Sequence, residues 1–209
     1  DHRLLTGAGE YSDDYNRPGQ VYAAFARAPH AHARLGFVDT EAALEMSGVI
    51  AVLTGADYKS DGLNAMLAQG NPKDVELFNR DRSPIHYPRI EPLVTDKIRR
   101  VGEAVAMVIA ETPDQARDAA EEVVTEYDLL PSVVDQVDAL REGAPQLWED
   151  LPDNLCVDDQ KGDVAKVADV FSKAAHVVRM DLRNNRVSGV PVEPRAAVAE
   201  YDEQRDTYT

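Results

Sequence analysis

Residues 96–128, DKIRRVGEAVAMVIAETPDQARDAAEEVVTEYD, constrain the fold more than any other stretch of the chain. A run rich in Val, Ile and Met predicts a strand that ends at Ala110. Thr112 is then a good helix N-cap, Pro113 suits the first helical position, and Gln115 completes a capping box. The stretch therefore predicts a strand followed directly by a capped helix.

The predicted helix has one apolar face, with the i, i+3, i+4, i+7 spacing of a helix that packs on a sheet. Its members are Ala116, Ala119, Ala120 and Val123. Small side chains on this face allow the helix to approach a sheet closely. VVTEYD (123–128) then alternates like a further strand. The order strand, helix, strand indicates a structural unit and not an active site.

Other elements follow from local patterns. We predict strands over VYAAFAR (21–27), HAHARLGFV (30–38), VIAVL (49–53), VVRMDLRN (177–184) and RAAVAEY (195–201). A short helix over EAALEMS (41–47) has Asp39 or Thr40 as its cap and Gly48 as its stop, and NAMLA (64–68) suggests one helical turn. Asp163 can cap another amphipathic helix, with an apolar face of Val164, Val167, Ala168 and Phe171.

The chain has room for two domains, since a domain usually takes about 100 to 200 residues. Residues 131–160 contain Pro131, Pro145, Pro152 and the only tryptophan, Trp148, and we predict a linker there. The predicted domains are 1–130 and 161–209. Residues 60–92 have glycines, four prolines and little periodicity, and we expect a functional cover in this long segment.

Composition excludes several classes of function. The net charge of −16 opposes binding to phosphate backbones and anionic lipids, so we expect neither a nucleic-acid nor a membrane partner. No apolar run approaches the length of about 20 residues that a membrane helix needs. One cysteine allows no disulfide within the chain and favours a reducing compartment, the cytoplasm, with the periplasm as the alternative.

His30 and His32 raise the question of a metal site, because alternate residues of a strand point to the same face. Two imidazoles are not enough, since a structural zinc takes four protein ligands and a catalytic zinc about three. His2, His86 and His176 are distant in sequence and have no ligand spacing around them. We interpret the pair as part of a partly exposed strand.

No other residues form a catalytic pattern. Gly7 and Gly9 give a G-x-G, but no strand precedes it and no helix follows it, as a phosphate loop would require. Cys156 has no convincing partner and is expected to be a small buried or loop thiol. Adjacent carboxylates, namely Asp13 with Asp14, Glu121 with Glu122 and Asp158 with Asp159, point apart and are poor acid–base pairs.

These motifs, taken in order, resemble one family: the large, molybdopterin-binding subunits of xanthine dehydrogenase, aldehyde oxidase and aerobic carbon monoxide dehydrogenase. TGAGEYSDDY, APHAHA, SGVIAVLTGAD, DKIRRVGEAVA, EYDLLPSVVD, GDVAKVADVFSKAAHVV and NNRVSGVPVEPRAAVAEYD are similar to its motifs. The resemblance covers nearly all of the chain apart from residues 60–92. The chain departs from the family pattern at Ala28, Ala104, Asn185 and Val192, where Ser, Pro, Gln and Met are common.

The resemblance implies an α+β fold, an α/β hammerhead domain followed by the first helix and strands of a molybdopterin-binding domain. It implies a molybdenum hydroxylase, an oxidoreductase that takes oxygen from water and passes electrons to iron–sulfur and FAD subunits or domains. It also places the histidine pair on a scaffold strand. The substrate would be a small molecule.

The family's cofactor-contacting glutamine, its G-G-x-F-G-x-K loop and its base glutamate lie beyond the strand that ends at Thr209. We therefore expect no catalytic, cofactor-binding or metal-binding residues in these 209 residues, which begin without methionine and stop in an apparent strand. Two alternatives stay open: a short docking protein that uses the hammerhead fold, and a zinc-dependent hydrolase built on His30 and His32.

Tyr87, between Pro84 and Pro88, is a stiff aromatic feature near the end of the 60–92 segment. Rigid aromatic side chains lose little entropy on docking. We expect this segment to contact another domain or subunit, the alternative being a flexible surface loop.

Overall fold

A computed structural model describes residues 2–67, 76–151, 153–185, 187, 189–191, 193 and 195–209. Parts of the predicted 60–92 cover, Pro152 of the predicted linker, and Val192 lie outside the described residues. The chain divides into two compact units, one of residues 21–162 and one of residues 1–20 with 163–209. The predicted domain boundaries stay a prediction.

The 21–162 unit mixes strands and short helices. Its strands are β1 (Tyr22–Arg27), β2 (Ala33–Asp39), β3 (Val49–Thr54), β4 (Met66–Leu67), β5 (Arg89–Ile90), β6 (Lys97–Ile98), β7 (Ala104–Ala110) and β8 (Val124–Leu129). Its helices are α2 (Glu41–Glu45), α3 (Gly55–Ser60) and α4 (Pro113–Glu121), with a 3-10 turn at Asp138–Leu140. Helix α1 (His2–Leu5) precedes them in the chain. The α+β fold class is confirmed.

Two antiparallel sheets organise this unit. In one, β7 lies between β1 and β3, so that Val108 faces Ala24 on one side and Val52 on the other. In the other, β2 lies between β6 and β8. Strands β7 and β8, which flank α4 in the sequence, therefore belong to different sheets.

Small and β-branched side chains form the core. One cluster of buried residues contains Ala26, Ala28, Ala33, Val94, Ile98, Val105 and Ala106, and the other contains Ala43, Val108 and Ala119. Ala116 and Ala119 of α4 are buried, while Ala120 and Val123 are partly buried against the second cluster. The predicted apolar face of α4 is confirmed, and its small residues let the helix pack closely on β7.

The helix ends follow the capping rules only in part. Thr112 accepts a hydrogen bond from the backbone N–H of Gln115 at 3.2 Å, and Pro113 opens α4. Thr40 precedes α2 without a side-chain cap, while Asp39 accepts from the backbone N–H of Glu41 at 3.0 Å. Gly48, after α2, has φ of 82°, a left-handed conformation that costs glycine little.

The predicted helical turn at NAMLA is wrong. Met66 and Leu67 form β4 and pair with Ile90 and Arg89 of β5. A five-residue helix gains few internal hydrogen bonds for the cost of nucleation, so pairing with another strand is the better solution here. Ala68, the last residue of that prediction, lies outside the described residues.

The other unit contains α1, a 3-10 turn at Ser12–Asp14, α5 (Val164–Lys173) and a hairpin of β9 (Tyr201–Asp202) and β10 (Thr207–Tyr208). Asp163 caps α5 as predicted, accepting from the backbone N–H of Lys166 at 2.9 Å. The strand predicted over 177–184 is wrong, since these residues are irregular. Of the strand predicted over 195–201, only Tyr201 is in a strand.

The reason for both errors is that strand propensity mainly reports packing against neighbouring strands. Within the described part of the chain no strand lies beside residues 177–184 to satisfy their hydrogen bonds. Tyr201 has such a neighbour in Tyr208, and Glu200 and Thr209 extend the hairpin with two backbone hydrogen bonds of 2.9 Å. The apparent strand at the end of the chain is therefore the second arm of a hairpin.

Candidate functional site: an acidic groove beside the 146–158 strap

The histidine pair does not lie on a strand, which corrects the sequence interpretation. His30 and His32 are in the connection between β1 and β2. The proline ring of Pro29 has no N–H to donate to a ladder, and regular pairing resumes only at Ala33. The alternation that would place both imidazoles on one face is therefore absent.

Each histidine has a structural partner of its own. The His30 ring packs edge-on against Tyr127, with 4.8 Å between ring centroids. His32 is only 6% exposed, and its Nδ1 lies 2.6 Å from the carbonyl oxygen of Pro131. Among the described residues no three His, Cys, Asp or Glu side chains are placed to hold a metal ion. The geometry gives the zinc hypothesis no support.

The other residues singled out in the sequence are also structural. Gly7 and Gly9 follow helix α1, and Gly9 lies against the Leu4 side chain. Burial, and secondarily Asp153, raise the pKa of the Cys156 thiol, which disfavours a nucleophilic thiolate. Of the adjacent carboxylates, Asp158 pairs with Arg80 and Asp159 with Lys161, so they do not act on a common proton.

Residues 146–158, which we call the strap, are held to the rest of the 21–162 unit at two places. The first is the pair Trp148 and Glu149. Glu149 forms an ion pair with Lys97 of β6, a lysine that is only 8% exposed. The Arg99 guanidinium lies over the Trp148 ring at 4.3 Å from its centroid and donates to the Leu147 carbonyl at 3.1 Å.

The second place is the segment around Arg80. Arg80 donates to Asp158 through Nε at 3.0 Å and Nη2 at 2.8 Å, and its backbone N–H donates to the Asp158 carbonyl at 2.9 Å. Asn79 accepts from the Asp158 backbone N–H at 2.8 Å. The backbone N–H of His86 donates to the Cys156 carbonyl at 3.0 Å. Backbone and side-chain hydrogen bonds thus join the two segments.

Asn154 organises the strap between these two places. Its φ of 56° is left-handed, which asparagine tolerates better than most residues. Its amide donates to the carbonyls of Ala139 and Pro145 at 3.1 and 3.0 Å and accepts from the Leu147 backbone N–H at 3.1 Å. One side chain therefore fixes three points of the surrounding backbone.

An open groove of about 740 Å³ lies where the strap meets the Arg80 segment. Four aspartates line it, Asp81, Asp150, Asp153 and Asp158, together with Asn79, Arg80, Ser83 and His86. The His86 Nδ1 lies 3.8 Å from Asp150, and its Nε2 is buried without a hydrogen-bond partner among the described atoms. The excess of carboxylates suits cations or N–H donors and repels phosphate groups.

A second groove lies between β1, α4 and β8. Its lining is largely apolar, with Phe25 and Tyr127 beside Arg27, Arg117 and Glu121. Neither groove presents the row of backbone N–H donors at a helix N-terminus that binds phosphate groups. These two grooves therefore lack that kind of contact for the phosphate of a pterin cofactor, and we derive no catalytic step through one.

Glu149 is the most perturbed carboxylate at the strap. The hydrogen bond from Lys97, helped by a backbone hydrogen bond and by the charges of Lys97 and Arg99, lowers its pKa to about 2. Its side chain is 67% exposed, so solvent screens much of this effect. Glu149 stays ionised at neutral pH and can hold Lys97 there.

Sequence reasoning missed these strap contacts. The strap has no helical or strand periodicity, and its partners are about 50 to 80 positions away in the chain. The only local signal was Trp148, since a lone tryptophan in a proline-containing segment needs an apolar or cationic surface to cover it.

The apolar face predicted for α5 exists but is not covered within the described part of the chain. Val164, Val167 and Phe171 are 52, 53 and 58% exposed.

Tyr87, expected to make a contact, is half-buried. None of the described helices is both long enough and apolar enough to span a membrane.

Comparison with known proteins gives the family. Residues 6–131 match the model of the a/b hammerhead domain of aldehyde oxidase and xanthine dehydrogenase, and residues 147–209 match the molybdopterin cofactor-binding domain. The large subunit of nicotine 6-hydroxylase from Paenarthrobacter nicotinovorans is 35% identical over 99% of this chain, which covers 24% of that protein.

Two further relatives agree. The large chain of carbon monoxide dehydrogenase from Hydrogenophaga pseudoflava is 35% identical over 97% of this chain and 25% of its own length. The crystal structure of quinoline 2-oxidoreductase from Pseudomonas putida 86 superposes with a TM-score of 0.82 at 31% identity, covering 99% of this chain and 25% of that one. The chain spans about a quarter of the length of these relatives. It belongs to the aldehyde oxidase and xanthine dehydrogenase family, as a hammerhead domain followed by the start of a molybdopterin-binding domain.

Proposed function

We propose that these residues are the N-terminal part of the large subunit of a molybdenum hydroxylase, an oxidoreductase that incorporates oxygen from water into a small-molecule substrate. The observation that carries the proposal is the 35% identity to the nicotine 6-hydroxylase large subunit across 99% of the chain. In the complete subunit the molybdopterin cofactor would supply the redox chemistry, and electrons would leave to iron–sulfur and FAD subunits. The cytoplasm is the proposed compartment, with the periplasm as the alternative.

Within that enzyme we assign the 209 residues a supporting role. The acidic groove disfavours the phosphate of a pterin cofactor, and no described group of three His, Cys, Asp or Glu side chains could hold a metal. The reacting groups would then come from the remaining three quarters of the subunit. We therefore propose that the 209 residues on their own bind no molybdopterin and turn over no substrate.

The exposed face of α5 supports the same assignment. Val164, Val167 and Phe171 line one side of a helix inside the region that matches the cofactor-binding domain. Burying such side chains yields about 1.5 to 3 kcal/mol each, so an uncovered row of them indicates a missing partner surface. We propose that the rest of the molybdopterin-binding domain covers this face.

The experiment compares two purified proteins, the 209-residue chain and the polypeptide encoded by its complete gene, both produced in cells that make molybdopterin. Molybdenum is measured by mass spectrometry, and hydroxylase activity by reduction of an artificial electron acceptor with a panel of N-heteroaromatic substrates and with carbon monoxide. We expect about one molybdenum per complete polypeptide and none in the short chain. Stoichiometric molybdenum in the short chain would overturn the supporting role.

The second candidate is a docking protein that uses the hammerhead fold without chemistry of its own. The exposed α5 face favours it as much as it favours the enzyme. Complete gene products that bind flavin and iron–sulfur subunits but contain no molybdenum would establish this alternative. Molybdenum together with turnover would exclude it.

Tyr87, Pro84 and Pro88 are the proposed contact for another domain or subunit. Support comes from the neighbouring residues, since the backbones of Arg80 and His86 are fixed by the strap and Ile85 is buried. Because these neighbouring residues are held in place, little conformational entropy would be lost when the Tyr87 ring docks on a partner. Limited proteolysis should cleave residues 76–92 more slowly in the assembled complex than in the free chain, and equal rates would contradict the contact.

A further inference from the structure

The sequence match and the contacts of the strap place the boundary between the two domains at different residues. The cofactor-binding domain matches from residue 147, whereas the compact unit that contains the hammerhead strands extends to Gly162. Residues 147–162 are therefore assigned to one domain by sequence and to another by their contacts. Which assignment governs folding depends on how firmly the strap is attached.

We propose that the strap is an integral part of the hammerhead folding unit, fixed by two anchors, so that the flexible junction begins after Asp158 and not after Pro131. The first anchor is Trp148 and Glu149 on Arg99 and Lys97. The second is Asp158 on Arg80 and Asn79.

The first anchor is the stronger of the two, because it contacts two cations that are largely buried. Lys97 is 8% exposed, and a lysine so little exposed needs a nearby counter-charge, which Glu149 provides. Arg99 is also mostly covered, with 13% of its side chain exposed, and the Trp148 ring covers its guanidinium. Releasing the strap would separate Glu149 from Lys97 and the Trp148 ring from Arg99, so body and strap stabilise each other.

The second anchor combines an ion pair with backbone hydrogen bonds. The Arg80 side chain contacts a single Asp158 oxygen through two nitrogens, and two backbone groups of Asp158 bond to Asn79 and Arg80. Among the described hydrogen bonds and ion pairs, none joins residues 159–162 to the rest of the 21–162 unit: Asp159 pairs with Lys161, which is 91% exposed, and Gly162 has φ of 104°. The chain therefore changes from a fixed strap to an open connection within about four residues.

Trypsin distinguishes the two assignments in the full 209-residue chain, because Arg141 and Lys161 flank the strap and both are exposed. We expect rapid cleavage after Lys161 and a stable product that keeps the strap, with cleavage after Arg141 at least tenfold slower. Equal cleavage at both sites in the unaltered protein would overturn the proposal, since a flexible linker beginning near residue 131 would be open at Arg141.

Two matched pairs of variants test the anchors. Asp158→Asn is compared with Asp159→Asn, because the neighbouring Asp159 pairs with the exposed Lys161 and not with Arg80. Glu149→Gln is compared with Glu142→Gln, because Glu142 is an exposed glutamate outside the strap. We expect hydrogen exchange of strap amides to accelerate at least tenfold in Asp158→Asn and Glu149→Gln and to stay unchanged in the controls. Exchange in α5 should be the same in all four. Anchor variants indistinguishable from their controls would contradict the proposal.

Discussion

The Nδ1 atom of His32 lies 2.6 Å from the carbonyl oxygen of Pro131, which joins the β1–β2 connection to the end of β8. A carbonyl only accepts hydrogen bonds, so neutral His32 must carry its proton on Nδ1. Its Nε2 is buried without a hydrogen-bond partner among the described atoms. We expect long-range ¹H–¹⁵N NMR spectra to show the Nδ1–H tautomer for His32. An Nε2–H tautomer would contradict this hydrogen bond.

Among the described residues, Ile98 has the largest fully buried side chain. Ile98→Ala removes several buried carbons and leaves a cavity, which typically costs about 2 to 5 kcal/mol. Ile50→Ala is the matched control, because Ile50 is 55% exposed, and it should cost less than about 1 kcal/mol. Urea unfolding followed by circular dichroism measures both. Equal losses would mean that Ile98 is not at the centre of the core.

Thr112 caps α4 through the hydrogen bond from the Gln115 backbone N–H. Thr112→Ala should lower the free energy of unfolding by about 1 kcal/mol, because it leaves one N-terminal donor of the helix without its acceptor. Thr40→Ala is the control, since Thr40 occupies the N-cap position of α2 but makes no side-chain cap hydrogen bond. Thermal unfolding of the two variants should differ, and equal midpoints would contradict the cap assignment.

Glu149 should make the strap sensitive to acid. Its pKa falls from the usual 4.5 to about 2 in the folded protein, so ionised Glu149 stabilises the folded strap above pH 4.5. That stabilisation is lost as the pH falls from 4.5 towards 2. Trp148 is the only tryptophan and lies under Arg99, so its fluorescence reports the strap. We expect a fluorescence change between pH 4.5 and 2.

Glu149→Gln provides the control for that titration. Glutamine cannot ionise, so the variant should lose the part of the fluorescence change that belongs to Glu149 and should show a weakened strap at neutral pH. Asp150→Asn, one residue further along, should keep the transition. An unaltered acid transition in Glu149→Gln would assign it to other carboxylates.

The parts of the fold that sequence predicted well are those with strong periodicity and explicit end signals. Strand β7, helix α4 and strand β8 follow from the apolar pattern, the Thr112 cap and Pro113, and the structure has them within one or two residues. The same holds for α5 after Asp163. In these segments local preference and tertiary packing agree.

The errors fall where tertiary contacts decide. Met66 and Leu67 become a strand because β5 is available to pair with them. The partners of the strap, such as Lys97 for Glu149, are about 50 positions away in sequence and leave no periodic trace. The histidine pair looked like one face of a strand, but Pro29 has no N–H for a ladder and regular pairing begins only at Ala33. Spacing alone could not have located the acidic groove.

The central position of β7 also determines where the sheet of β1, β7 and β3 can be extended. Both edges of β7 are occupied, so among the described strands a new strand could join this sheet only beside β1 or β3. Open strand edges are where foreign strands add and where aggregation begins. A protein that adds a strand to this sheet must do so at the outer edge of β1 or of β3. Charged substitutions at these edges would block the addition and leave the core residues unchanged.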